Sequence, residues 1–256
     1  MNAKSLVSIL LLATALLVGG CGKDSGGSSG SDGVAVSSLQ GTWLGSYTYY
    51  QNPTSYVGIL AVDVDANGNI TAMRRGPAGG ALTSMGLTGT ITKQGASQFG
   101  FRLSNGTEGG FLADASGTHA GFLDDYGSFG VLQKGATTGA TYTTADFVGS
   151  WSGYSLELDV NGNVVKQGAS SASIDQYGNF TGTNFNGAFS GVFNLWASNS
   201  ASYGYTSGMW SATGASGNVE GWVSPDKKFA AAYACTGSLK PWTSLSSCNY
   251  SAWSKN

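Results

Sequence analysis

The chain has 256 residues, of which 10% are charged and 41% hydrophobic, with 41 Gly, 7 Trp, 12 Tyr and 11 Phe. So little charge beside so much aromatic surface excludes a solvated, disordered polymer and leaves enough apolar area to build a core. A net charge of −2, with Arg74, Arg75 and Arg102 as the only arginines, argues against a nucleic-acid partner, because no basic stripe is available to neutralise phosphates.

Residues 1–20 read as a secretory signal peptide. Lys4 gives a positive start, and the mainly apolar 13-residue run Leu6 to Val18 is too short to span a bilayer. The run ends in Leu17-Val18-Gly19-Gly20-Cys21, which resembles the bacterial lipobox. That resemblance implies cleavage before Cys21, acyl chains on its thiol and new amine, and stable anchoring through more than one chain. Gly22 stands where the family's inner-membrane retention signal has Asp, so the resemblance implies an outer-membrane location in the cell envelope. Residues 21–36 are then the lipidated N-terminus and a flexible tether. Lys23 to Gly33 is dominated by Gly and Ser and would hold the folded part roughly 20 Å from the lipid.

From Val34 onward no helical period is sustained; short alternating runs bounded by Gly, Asn, Asp and Ser predict an all-β fold. Phe99, Phe101 and Leu103 share one strand face, and the same alternation turns Leu156, Leu158 and Val160 inward with Glu157 and Asp159 outward. Asp65-Ala66-Asn67-Gly68-Asn69, Asp159-Val160-Asn161-Gly162-Asn163 and Asp175-Gln176-Tyr177-Gly178-Asn179 read as hairpin turns.

An internal repeat organises these strands. Gln40-Gly41-Thr42-Trp43-Leu44-Gly45-Ser46-Tyr47 is echoed by Val148-Gly149-Ser150-Trp151-Ser152-Gly153-Tyr154, and matching pieces continue in order to Phe129 and Phe229. The repeat predicts two units, residues 37–139 and 145–256, joined by a Gly/Thr/Ala-rich piece. Each has room for seven or eight strands, and each is expected to fold separately.

The Gly-x-Trp of Gly41 and Trp43, and again of Gly149 and Trp151, resembles the start of calycin-type barrels such as lipocalins and avidins. The resemblance implies two tandem small antiparallel β-barrels. In lipocalins an Arg from a late strand covers that Trp, whereas here only Lys134 and Lys240 stand near the ends of the two units. The likeness therefore transfers no ligand.

Candidate chemistry is sparse. His119, near Asp114, Asp124 and Asp125, is expected as a solvent-exposed turn histidine, because zinc needs three or four ligands. Asp63-Val64-Asp65-Ala66-Asn67-Gly68 resembles the start of a calcium loop, but Arg74 occupies the position of the bidentate Glu. No nucleophile elbow, phosphate loop or helix-opening glycine fingerprint is present. No catalytic residue, metal site or cofactor is expected, and the chain is read as a non-enzyme. Cys235 and Cys248, left after lipidation, are expected to form a disulfide in an oxidising compartment.

What remains is aromatic surface. Trp43, Tyr47 and Tyr49 share a strand face, while Trp196, Tyr203, Tyr205 and Trp210 cluster about a Ser/Asn-rich turn. The longer, more aromatic connection in the second unit makes Trp196, Tyr203, Tyr205 and Trp210 the predicted ligand-binding surface, suited to a glycan, an apolar small molecule or a protein partner. The expected function is that of a membrane-anchored envelope lipoprotein acting as a non-catalytic binding module. A structural envelope protein without a small ligand, and an envelope hydrolase, are the alternatives.

Overall fold

In the computed structural model the described residues are 33–51, 54–77, 80–159, 164–195, 208–214, 217–236 and 247–256. Cys21 lies outside them, as does most of the expected turn at 159–163. The fold is all-β, with two closed eight-stranded antiparallel barrels in tandem. The first contains β1 (Gly41–Gln51), β2 (Thr54–Val64), β3 (Asn69–Gly76), β5 (Gly89–Lys93), β6 (Gln98–Leu103), β7 (Glu108–Ala113), β8 (His119–Asp124) and β9 (Phe129–Lys134), with the two-residue β4 (Thr83–Ser84) appended to β3. It closes through pairing of β1 with β9. The second contains β10 (Gly149–Leu158), β11 (Val164–Ile174), β12 (Asn179–Asn184), β13 (Gly187–Leu195), β14 (Met209–Gly214), β15 (Gly217–Val223), β16 (Phe229–Thr236) and β17 (Ser247–Lys255), closed by β10 and β17.

The repeat builds the same plug at one end of each barrel. A short 3₁₀ turn, Val36–Leu39 before the first barrel and Thr144–Asp146 before the second, leads to a Gly whose φ is +135° at Gly41 and +133° at Gly149. That conformation excludes most side chains. Two residues on, the Trp turns inward and its indole N–H donates to the carbonyl four residues back, Trp43 to Leu39 at 2.7 Å and Trp151 to Phe147 at 3.0 Å. A lysine from the last strand stands opposite in register and lies over the ring: Lys134 at 5.9 Å from Trp43, Lys255 at 5.4 Å from Trp151. Each ammonium also donates to a carbonyl of the 3₁₀ turn, Lys134 to Ser38 at 2.6 Å and Lys255 to Asp146 at 2.8 Å. A lysine thus covers each tryptophan, Lys134 in the first unit and, in the second, Lys255 rather than Lys240, which lies outside the described residues. Cation–π contact of this kind contributes about 0.5–1 kcal/mol at exposed sites.

Hairpin turns follow the sequence reading. Asp65 accepts from the amides of Asn67 and Asn69 and from the Asn69 side chain, and Asp175 does the same for Tyr177 and Asn179. Asp63, at the start of the calcium-loop resemblance, is paired with Arg74 at 2.7 Å and accepts from Thr42.

The barrels are not beads on a string. The outward residues Leu112, Phe129 and Val131 of the first pack into one buried cluster with Leu156, Met209, Trp222, Phe229, Ala231, Tyr250 and Ala252 of the second. Val131 and Ala231 are fully buried. Leu156 and Leu158 therefore face the neighbouring barrel rather than their own interior. This corrects the predicted facing, because alternation identifies two faces of a strand but not which face meets which core. A side chain on Gly121 would overlap the Tyr250 hydroxyl and the Ala231 methyl, so a glycine is what lets β8 approach β16 and β17.

Candidate functional site

The interior of the first barrel holds a cavity of about 380 Å³, within the ordinary range for small-molecule sites. Alternation on each strand supplies its apolar wall: Trp43, Leu60, Val62, Ile70, Phe101 and Phe122 all point inward. The 3₁₀ turn at Leu39 and the Trp43 indole close one end. Polar groups gather at the other, where Arg75, Asn105, Thr107, Asp124, Tyr126 and Ser128 line the opening.

Electrostatics at that open end are set by burial. The Arg75 guanidinium lies 5.0 Å from the centre of the Tyr49 ring, which stacks on Tyr47 at 5.3 Å. The Tyr47 hydroxyl is buried without a hydrogen-bond partner. Burial pushes its pKa up to about 12, and nearby Arg75 offsets only part of that rise. Asp124 is pushed up to about 6 by burial, against amide donation from Tyr126 at 3.0 Å and Ser128 at 2.7 Å.

Among the described residues of the second barrel, aromatic rings meet at the corresponding interior positions. Phe180, Phe193 and Trp210 interlock, with Trp210 5.9 Å from Phe180 and 5.5 Å from Phe193, and Phe147 closes on Phe193 at 4.7 Å. Inside it Ser155 and Ser251 share a 2.6 Å hydrogen bond, and the Trp253 indole donates to Ser170 at 2.9 Å. Trp210, predicted as part of a recognition surface, is instead a core residue only 2% exposed. Its partners in that prediction, Trp196, Tyr203 and Tyr205, lie outside the described residues. Cys235 stands opposite Cys248 in the β16–β17 register, the placement that a disulfide between them requires.

His119 also departs from expectation. It is 8% exposed, stacks on Phe229 of the second barrel at 5.6 Å, and each ring nitrogen lies 3.0 Å from a carboxylate, Nδ1 from Asp114 and Nε2 from Asp226. Asp226 is held in turn by its amide donating to Gln133 at 2.8 Å. Burial opposes charge on the ring, but the two carboxylates outweigh it and raise the His119 pKa. Asp114 and Asp226 are both depressed: burial works against each carboxylate, while hydrogen bonds, including those to His119, prevail. The residue is a clasp between barrels. Its far partner lies 107 positions along the chain, beyond any local sequence signal.

No family model and no curated protein matches this chain. It is similar in structure to a protein of unknown function from the DUF3598 family of Nostoc punctiforme, with 10% identity, a TM-score of 0.38 and coverage of 86% of this chain and 97% of that one. A Trp-to-Ala mutant of transferrin binding protein B from Haemophilus parasuis matches at 10% identity and a TM-score of 0.24, covering 84% and 75%. A porin-like protein from Bacteroides uniformis matches at 11% and 0.21, covering 84% and 96%. Likeness this remote supports no conclusion about activity, and the chain's function has to be read from its own cavity.

Proposed function

We propose that this chain is an envelope lipoprotein whose first barrel binds a small, mainly apolar molecule without transforming it. The observation that carries the reading is the cavity of about 380 Å³, closed at one end, apolar along its wall and polar at its opening. Such a chamber is the usual setting for an amphipathic ligand. The anchor at Cys21 and an outer-membrane location belong to the same reading and rest on the Leu17–Cys21 motif. A tethered carrier would meet its ligand near the membrane surface. The second barrel, with its aromatic filling, serves as a rigid support that packs against β7, β8 and β9.

The test is a titration of the unlipidated full chain with a fluorescent apolar probe, beside an Ala120→Phe variant. Ala120 is buried on the cavity wall, so a phenyl ring there occupies the chamber. The expected outcome is saturable binding of one probe per chain, lost in the variant while the melting temperature holds. Equal binding by both proteins would place the probe elsewhere and reject the chamber as the site.

A further inference from the structure

We propose that the occupant of the first barrel is an anionic amphiphile, a single apolar chain whose oxyanion head is received by Arg75 and Tyr47 at the open end. This rests on the reading of the barrel as a binding chamber and adds the chemistry of what it holds. Arg74 and Arg75 are adjacent and therefore point to opposite faces of β3. Arg74 faces out and is paired with Asp63 at 2.7 Å. Arg75 lines the cavity and leans on Tyr49, with no carboxylate at ion-pair distance among the described residues. A guanidinium seated on an aromatic face keeps its edge N–H groups for a planar oxyanion, and its fork matches carboxylate or phosphate oxygens.

Two further donors belong to the same arrangement. The Tyr47 hydroxyl, on a residue 4% exposed, makes no hydrogen bond of good geometry, and its nearest polar neighbour is Arg75, whose charge favours an oxyanion beside both. A buried hydroxyl in that state is costly, and a ligand oxygen would relieve it. At the rim the side-chain oxygen of Asn105 already accepts from the Thr107 amide at 3.1 Å, which leaves its NH₂ as the group to offer. Asp124 is the sole carboxyl among the lining residues, and one of its oxygens is committed to the amides of Tyr126 and Ser128. Burial also raises its pKa to about 6, so an anionic head meets less opposing charge as pH falls toward that value. Donors therefore outnumber acceptors at the opening. A cationic head would meet Arg75 with little to hold it, and a neutral head would leave the guanidinium unmatched.

Calorimetric titration of the unlipidated full chain tests this with four probes of one chain length, each below its micellar concentration: decanoate, decyl phosphate, decanol and decyltrimethylammonium. The expected result is that one or both anions bind at least about tenfold more tightly than decanol, as charge-assisted hydrogen bonds imply, with the ammonium compound weakest. Preference between the two anions then identifies a carboxylate or a phosphate head. Arg75→Gln should remove about that tenfold advantage and leave decanol unchanged, and Tyr47→Phe should act in the same direction but less. If decanol or the ammonium probe binds as tightly as decanoate, the head-group proposal is overturned and the chamber reading stands. If none of the four binds, both fall together.

Discussion

The two barrels share a topology, a plug and a hairpin grammar, yet the described residues of the first line a cavity while those of the second interlock ring to ring. The difference lies in the sizes of a few inward residues. In the second barrel Phe180, Phe193 and Trp210 meet ring to ring, whereas Leu60, Val62 and Ile70 of the first line a space that no side chain of the described residues occupies. A closed eight-stranded barrel has an interior just wide enough for its side chains to fill or to hold one small ligand. Side-chain volume decides between these outcomes without changing the backbone.

The sharpest way to break the comparison is to remove a ring from the interlocked core of the second barrel. Trp210→Ala should cost about 3–5 kcal/mol, because the surrounding rings cannot collapse into the void. Phe101→Ala, on the wall of a space already open and itself only half-buried, should cost about 1–2 kcal/mol, mainly its transfer term. Denaturant titration of both variants measures the contrast, and equal losses would show that the first barrel is packed as tightly as the second.

A disulfide between Cys235 and Cys248 would be a device of the second barrel alone. It would close a loop of about 14 residues and contribute roughly 3 kcal/mol in the chain-entropy account. Peptide mapping without reductant should recover the linked pair, with two unmodified thiols as the contrary finding.

Gly121→Leu asks whether the barrels behave as one body. With Tyr250 and Ala231 in the way, the larger residue should force the interface apart at a cost of about 1–3 kcal/mol. Scanning calorimetry should then resolve two transitions where the parent shows one. A single unshifted transition would mean that the interface contributes little and that residues 37–139 and 145–256 stand independently.

The smallest effect belongs to His119. Its pKa is higher in the folded chain than the usual value of about 6.5, so the stability it provides is complete below about 6.5 and is lost as pH rises through the folded value. Asp114 and Asp226 have depressed pKa values, so their share is present above about 3.9 and is lost as pH falls through their folded values. The melting temperature should therefore decline on the alkaline side by a few degrees, and His119→Gln should flatten that decline. A parent and variant with parallel pH profiles would remove the clasp from the account.

Much of this architecture is legible in the chain. The repeated Gly-x-Trp, the Asx turns and the alternation of Phe99, Phe101 and Leu103 all lead to two antiparallel barrels, because each expresses a backbone or pleat requirement within a few residues. The cavity is not legible, since it is a deficit of volume summed over eight strands and no short window contains it. Trp210 is a related case: a Trp beside a Ser-rich loop has the composition of a recognition surface, but its position on β14 turns it inward. Phe129, Val131 and Leu156 read as ordinary core residues, and only the packing of the barrels shows that their core is shared between units. His119 reads as an exposed turn histidine because the residues that bury it, Asp226 and Phe229, lie more than 100 positions along the chain.

One measurement tests the central claim most directly. Trp43 is the sole tryptophan before Trp151, and it forms the cavity's closed end. Titration with a decanoate analogue bearing bromine at its chain end should quench one component of the intrinsic fluorescence. The account predicts that this component disappears in Trp43→Phe and persists in Trp210→Phe. Quenching that survives in Trp43→Phe and vanishes in Trp210→Phe would put the ligand in the second barrel and contradict the account.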